Sequence, residues 1–462
     1  MQETTRRWET LLNQTRDQAV AELLEFISIP SVSANIANLP DMRKAAAWVA
    51  DRLKNAGISN AAILEAGDHP IVFGSWMGAG PGRPTVLIYG HYDVQPAEPF
   101  EQWTTPPFDP QVREGRIYGR GATDDKGNML APILTVEAML QSDGRLPVNV
   151  KFLFEGQEEI GSPDMPGFVA ENAELLACDM IFSADGLQWS PEQPQIVEAL
   201  KGIVDFELIV RGPSKDQHSG LHGGGIANPA MGLAHLLASM RSPDGVVTIE
   251  GFYDDVVALS DDVRAAIALV PYDEAAYLAE TGATAVDGER GYSTRERLWA
   301  RPTLDVNGLT AGWQGDGGKT VLPAQASAKF TCRLVANQNP RQIQDLIRDH
   351  VEKNCPWGLT AELISENNWG EPFLVPAGHR PTEVAAAILE EVYGAAPYRT
   401  RLGGSIPVMT TLQQATGVHA TMLGFAHADE NLHAPDEFFR LDAFEKSKLI
   451  YGLLLERIGA DL

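Results

Sequence analysis

At 462 residues the chain is too long for one ordinary hydrophobic core, so about two to three domains are expected. Hydrophobic residues make up 44% and charged residues 21%, the balance of a globular protein that faces water. With 62 acidic residues against 36 basic ones, the formal charge of −26 disfavours nucleic acid and anionic membrane as partners.

Cys178, Cys332 and Cys355 are odd in number and far apart, which fits a reducing compartment better than a disulfide frame or a thiolate metal site. Residues 1–17 are charged and lack the apolar core of a secretory leader, and no run approaches the roughly 18 to 20 apolar residues of a membrane span. A cytoplasmic location is therefore expected.

Val20, Leu23, Leu24 and Ile27 at helical spacing predict a helix over residues 16–29, stopped by Pro30. A second helix is expected over residues 41–56, closed by Gly57. Residues 71–77 and 85–89 read as strands. The second is too short for a helix and too continuously apolar for a strand with one wet face, so it belongs inside a sheet covered on both sides. It breaks at Gly90 and delivers His91 and Asp93 at a strand's carboxyl end, where ligands of such sheets bind. Two apart on an extended backbone, these side chains point the same way, so a carboxylate could orient a metal-binding imidazole.

The loop over residues 91–126 is rich in proline, glycine and tryptophan, and its length suggests function. It ends in Gly119-Arg-Gly-Ala-Thr-Asp-Asp-Lys-Gly127, which sets Asp124 and Asp125 in a tight turn before an amphipathic helix over residues 128–141. A strand over residues 148–154 leads into Glu155-Gly-Gln-Glu-Glu-Ile-Gly-Ser162, and a short one over residues 180–182 precedes Asp185. This alternation of strands and helices predicts a largely parallel α/β sheet.

Past residue 200 the period changes. Val204, Phe206, Leu208 and Val210 alternate, as do Ala326, Ala328, Phe330, Cys332 and Leu334, with Arg333 on the opposite face. Asn228-Pro229 signals a helix through Met240, and a helix over residues 340–353 precedes a strand over residues 359–364. Segregated strands and helices predict an α+β domain over residues 198–378, inserted into a domain formed by residues 1–197 and 379–462. Beyond Pro381 come a helix to about residue 393, the glycine loop Arg401-Leu-Gly-Gly-Ser-Ile-Pro407 and a strand over residues 419–425. Asp429-Glu-Asn-Leu-His-Ala-Pro-Asp-Glu437 and an amphipathic helix over residues 441–458 close the chain.

His91, Asp124, Glu159, Asp185 and His433 together offer imidazoles and carboxylates suited to zinc, manganese or cobalt. Two divalent ions against their three negative charges leave a charge that a bridging hydroxide would neutralise. Glu158, beside a ligand, could take a proton from water. Singly, each residue reads more often as a solvated face or a turn; what joins them is their common place after apolar strands or glycine turns.

In order and spacing, Gly90-His-Tyr-Asp93, Gly119 to Gly127, Gly156-Gln-Glu-Glu-Ile-Gly161, Ser183-Ala-Asp185 and Glu430-Asn-Leu-His433 resemble the motifs of the M20 family of dinuclear metallopeptidases. The resemblance implies a mixed, largely parallel α/β catalytic domain covered by helices, with the inserted α+β domain as lid and dimerisation domain. It implies that His91 and Asp185 hold one metal and Glu159 and His433 the other, with Asp124 bridging. Asp93 would orient His91, Glu158 would be the general base, and the Asp124–Asp125 peptide would be cis. Two divalent ions per subunit are implied, zinc first, with manganese or cobalt as alternatives.

Asp216-Gln-His-Ser-Gly220, Lys319-Thr-Val-Leu-Pro323, Arg333-Leu-Val335 and Gly403-Gly-Ser-Ile-Pro407 are similar to the branch of cytosolic non-specific and carnosine dipeptidases. That implies a homodimer through the lid domain, in which His218 and Thr320 of a second copy reach the scissile carbonyl. Arg333 and Ser405 would hold the substrate's terminal carboxylate, a task that suits a guanidinium and a hydroxyl, and Gly404 would join them in binding substrate. Leu402 stands where that branch carries an acidic residue, and a second lid histidine has no clean match near residues 368–380, His379 being a poor one. The expected function is hydrolysis of dipeptides with a free C-terminal carboxylate. Deacylation of N-acyl amino acids is the alternative within enzymes, and a non-catalytic cation-binding or assembly protein the alternative outside them.

Overall fold

The computed structural model describes residues 6–365, 369–404 and 406–460. Its contacts divide the chain into two compact units, one of Met1–Glu198, Val375–Arg399 and Val408–Leu462, the other of Ala199–Leu374 and Thr400–Pro407. No described helix is long and apolar enough to cross a membrane.

The first unit is built on a six-stranded sheet in the order Ala62–Leu64, Ile71–Trp76, Asn149–Glu155, Thr85–His91, Met180–Ser183, Ala420–Met422. The first two pairings are antiparallel and the other three parallel, so the sheet is mixed and largely parallel as expected. Every residue of Asn149–Glu155 is buried, as is all of Thr85–His91 past its first residue, which explains why the second reads as a continuous apolar run and the first as a mostly apolar one, broken by Lys151. Register pairs His91 with Glu155 and Tyr89 with Ser183. The segments carrying His91, Glu158, Glu159 and Asp185 therefore leave the same edge of the sheet.

The helix expected over residues 128–141 runs from Gly127 to Asp143 and is not amphipathic, because residues Gly127 to Val136 are buried without a break. It packs against both Arg7–Gln14 and Leu441–Ala460, so no stripe of it is left for solvent. The C-terminal helix is likewise buried from Ile450 to Leu455. The segment 91–126, expected as a loop, contains Gln111–Arg113 and Arg116–Tyr118, a hairpin that Phe438–Arg440 extends to three strands. That pairing ties the segment carrying Asp124 to the segment carrying His433.

The second unit contains an antiparallel sheet ordered Thr303–Ala311, Gln325–Leu334, Gly202–Arg211, Thr360–Ile364. Its dry face sets Val204, Phe206 and Leu208 beside Phe330 and Cys332 under the helices Pro229–Met240 and Pro340–Asn354, with Phe206 and Phe330 stacked at 4.9 Å. Asn228 caps the first of these helices by accepting from the Ala230 amide at 2.9 Å. The strand Thr303–Ala311 and the helices between residues 261 and 300 had no sequence expectation. That strand lies at the sheet's edge and buries only Leu304 fully, so no period marks it. The helix Thr294–Ala300 did carry a signal, the Ser293/Glu296 capping box.

Candidate metal centre

His91 is the last residue of the central strand, and its ring is fixed from one side. Its Nδ1 lies 3.1 Å from the Asp93 carbonyl oxygen and 3.3 Å from the Asp93 carboxylate. The same fully buried carboxylate accepts the backbone N–H of Glu158 at 3.2 Å and of Glu159 at 3.1 Å. One side chain thus orients the imidazole and positions both glutamates. The turn behind His91 can approach because residue 90 is glycine, where a Cβ would meet Asp125 Oδ2 at 2.8 Å. That same oxygen accepts the His91 N–H at 3.2 Å.

Asp124 lies in the turn Ala122–Lys126, and its peptide to Asp125 is cis, as the resemblance implied. Its carboxylate oxygens diverge, Oδ1 lying 3.1 Å from His91 Nε2 and Oδ2 3.0 Å from His433 Nε2. The backbone around it is held by Glu437, a fully buried carboxylate that accepts from Gly121 N at 2.9 Å, Thr123 N at 3.1 Å, Asp124 N at 3.2 Å and Arg120 NH1 at 2.6 Å. Glu430, also buried, accepts the Thr123 hydroxyl at 2.6 Å and the His427 N–H at 2.9 Å.

His433 has a φ of 59°, and its neighbours Asn431 and Asp436 have 56° and 57°, a left-handed conformation that costs strain in non-glycine residues. The Asp436 carboxylate pins this loop by accepting Thr104 N at 2.8 Å and Thr104 Oγ1 at 2.7 Å. His433 Nε2 also lies 3.2 Å from Glu159 Oε2, which accepts Gln95 Nε2 at 2.8 Å.

The five expected ligands therefore fall into two groups that share Asp124. His91, Asp124 and Asp185 form one and Asp124, Glu159 and His433 the other, with the ligand atoms of each within 4.8 Å of one another. Burial, with the Asp124 charge adding to it, pushes Glu159 up to about 7 and Asp185 up to about 6. Burial also raises Glu158, and Asp185 and Glu159 raise it further. Burial would raise Asp124 as well, but hydrogen bonds from His433 and His91 hold it below the carboxylate range. His433 is raised to about 10 by its bonds to Asp124 and then Glu159. His91 is raised despite its burial, through its bonds to Asp124 and Asp93.

These shifts share one cause, an excess of negative charge crowded out of water. The donor set fits a pair of divalent cations, since each group offers one imidazole nitrogen and two carboxylates whose crowded negative charge favours a cation. Glu158 belongs to neither group, and among the described residues no hydrogen bond holds its carboxylate.

The chain matches the model of peptidase family M20/M25/M40 over residues 87–457. It belongs to that family. The Cys-Gly metallodipeptidase dug1 of Schizosaccharomyces pombe is 32% identical to this M20 chain over 97% of each. The Beta-Ala-His dipeptidase of Mus musculus is 28% identical over 96% of the M20 chain and 93% of its own length. The crystal structure of the M20 family metallo-carboxypeptidase Sso-CP2 from Sulfolobus solfataricus is similar with a TM-score of 0.81 at 29% identity, over 96% of the M20 chain and 100% of its own. The family and fold class read from the sequence are borne out, and the M20 chain is an enzyme of the peptidase class. The reading as a non-catalytic cation-binding protein falls away.

The remaining expected site residues of the M20 chain belong to its second unit. His218 pairs with Val321 in a two-stranded ribbon, and the Ser219 N–H donates to the Thr320 carbonyl at 3.1 Å, so His218 and Thr320 are neighbours. Both are exposed, and His218 Nδ1 accepts from Gly220 N at 3.0 Å. Arg333 lies in Gln325–Leu334, opposite Ile203 and Thr303. Gly404 is exposed, and its carbonyl accepts from Lys201 N at 3.1 Å. Ser405 lies outside the described residues. His379, in the first unit, is not brought to the metal groups; its ring nitrogen lies 2.9 Å from Thr382 Oγ1 and its ring 6.0 Å from that of His419.

Sequence reasoning missed Glu437, Glu430, Asp125 and Gln95. Glu430 and Glu437 sat in the segment chosen for His433, but carboxylates whose partners are backbone N–H groups and side chains some three hundred residues away leave no spacing rule to find them by.

Proposed function

We propose that this enzyme hydrolyses the amide bond of dipeptides that carry a free C-terminal carboxylate, using two divalent cations. The observation that carries the reading is the pair of ligand groups sharing Asp124, with Glu158 beside them and in neither. His91, Asp124 and Asp185 would hold one ion and Asp124, Glu159 and His433 the other; zinc suits these donors first, manganese or cobalt next. Cations so held would polarise the scissile carbonyl and lower the pKa of water.

The chain's own residues do the rest. Asp93 accepts the Nδ1–H of His91 and so leaves the Nε2 lone pair available to ligate a cation. Glu158 takes the proton of the attacking water and passes it to the leaving amine. Arg333 and Ser405 bind the terminal carboxylate, and Gly404 also binds substrate. His218 and Thr320 come from the lid domain of a second copy, where His218 donates to the developing oxyanion. The domain so used spans residues 198–378, with residues 1–197 and 379–462 as the catalytic domain. The free cysteines support a cytoplasmic setting, and the names of the dipeptidase relatives support the substrate class.

The test is a screen of the metal-loaded homodimer against free dipeptides, N-acetylated dipeptides and N-acyl amino acids. Cleavage of free dipeptides alone is expected. Leu402, in place of an acidic residue, favours the second reading, deacylation, and cleavage of N-acyl amino acids in preference to dipeptides would establish it. Cleavage of neither class would contradict both.

A further inference from the structure

The carboxylate proposed as the general base, Glu158, makes no hydrogen bond of its own among the described residues. Its place is set by the turn that carries it, residues 156–161. Asp93 holds that turn through the N–H groups of Glu158 and Glu159. Ser162 N closes it by donating to Gln157 O at 2.8 Å, and Gly161 N donates to Glu158 O at 2.8 Å. Ser162 ends it with a φ of 52°, a left-handed conformation that a serine keeps only where its surroundings fix it.

The surroundings that fix it centre on Glu155, the last residue of the strand before the turn and the register partner of His91. Glu155 Oε1 accepts two hydroxyls, Ser162 Oγ at 3.0 Å and Tyr89 Oη at 2.7 Å, and all three side chains are buried. Tyr89 lies on the strand that ends in His91, so one carboxyl joins the strand of a proposed metal ligand to the far end of the turn that carries the base. Its other oxygen, Oε2, has no hydrogen-bond partner among the described residues. A buried carboxyl is a costly way to fill space, and burial pushes Glu155 up to about 7 against the Tyr89 hydroxyl. What the group supplies in that place is the pair of bonds.

We infer that Glu155 is a positioning residue for the hydrolysis: through Ser162 and Tyr89 it holds the turn so that the Glu158 carboxylate stays aligned for proton transfer. The inference rests on the reading of Glu158 as general base. A base must lie within hydrogen-bond reach of the proton it takes, and a displacement of about 1 Å caused from a distance can cost about 10²-fold in rate.

The experiment places Ser162→Ala and Tyr89→Phe, each of which removes one hydroxyl, in the metal-loaded enzyme and again in a Glu158→Gln background, with Ala-Ala as substrate. Beside an intact Glu158 each is expected to lower kcat by about 10- to 100-fold and to leave KM and metal content unchanged. In the Glu158→Gln background neither is expected to lower kcat further, because the group they align is gone. Glu155→Gln, which keeps an oxygen for both hydroxyls, is expected to retain most of the turnover, and Glu155→Met to lose as much as the hydroxyl variants. Unchanged turnover in both hydroxyl variants, loss of metal instead, equal losses with and without Glu158, or a Glu155→Gln as slow as Glu155→Met would overturn the inference and leave the reading of Glu158 standing. Full turnover of Glu158→Gln alone would overturn that reading and the inference with it. Should Ser162→Ala fail to fold, Tyr89→Phe, which removes a single oxygen, decides.

Discussion

His91, proposed as a metal ligand, and His218, proposed as a catalytic donor, are held by the protein in opposite ways. His91 is buried, and its ring is fixed by Asp93, which in turn fixes Glu158 and Glu159. His218 is exposed at the end of a two-stranded ribbon and accepts one bond from an amide two residues away. The difference follows from solvent. A buried polar group without a partner costs about 1–3 kcal/mol, so the metal ligands bring a surrounding set of Asp93, Glu430, Glu437 and Gln95, whereas an exposed histidine needs none. Substitutions near the metal groups should therefore spread into affinity and stability, and those on the ribbon should stay confined to chemistry.

Glu158→Gln is expected to have the largest effect on turnover, because the amide keeps the shape but cannot accept a proton. A loss of about 10²- to 10⁴-fold in kcat is predicted, with metal content near two per chain by elemental analysis. Loss of metal instead would mean that Glu158 and Glu159 have exchanged roles.

On the ribbon, His218→Ala should lower kcat by about 10²- to 10³-fold and leave metal content and unfolding temperature unchanged. Mixed with Glu158→Gln and allowed to exchange subunits, it should regain part of the activity, since one site then joins an intact Glu158 to an intact His218. No recovery despite proven exchange would place the histidine's action within its own chain.

Glu437→Gln sharpens the contrast from the other side. One oxygen becomes a donor facing backbone N–H groups, so stability should fall by about 1–3 kcal/mol in thermal unfolding. Metal affinity should drop by about 10- to 100-fold in a competitive titration, the usual consequence of losing a group that supports a ligand. If affinity and stability both survive, the buried network does not hold Asp124.

The smallest effect is a pH dependence. In the metal-free protein Glu159 is raised from 4.5 to about 7 and Asp185 from 3.8 to about 6, so the fold keeps these protons longer than the unfolded chain does. Their effect on stability is thus favourable in acid and is lost as pH rises through those values. His433, raised from 6.5 to about 10, adds stability that is complete below 6.5 and fades above it. Asp124, lowered from 3.8, contributes above that value and loses its effect only in stronger acid. Metal relieves the crowding, so its stabilising effect should grow from pH 5 to 8, with affinity rising at least about tenfold per pH unit below 6. A thermal shift on metal addition that is flat across this range would contradict the assignment of these groups.

What could be read from the sequence follows the same division. The central strand and its neighbours were legible because burial on both faces writes apolar or mostly apolar runs, and His91, Glu158, Glu159 and Asp185, proposed for the site, lie at or just past the ends of those runs. The partners of those residues were not legible. Asp93 was found because it lies two positions from His91, whereas Glu437 lies more than three hundred residues from the backbone it serves. On the second unit, strand periods revealed the dry face of the sheet but not the edge strand Thr303–Ala311, and only the resemblance singled out His218, Thr320, Arg333 and Gly404.

The central claim, that two cations sharing Asp124 perform the hydrolysis, is tested most directly by titrating metal into the metal-free enzyme while following both bound ion and dipeptide turnover. Turnover should remain a small fraction of its maximum through the first equivalent per chain and rise to completion with the second. Full turnover at one tightly held ion per chain would contradict the account.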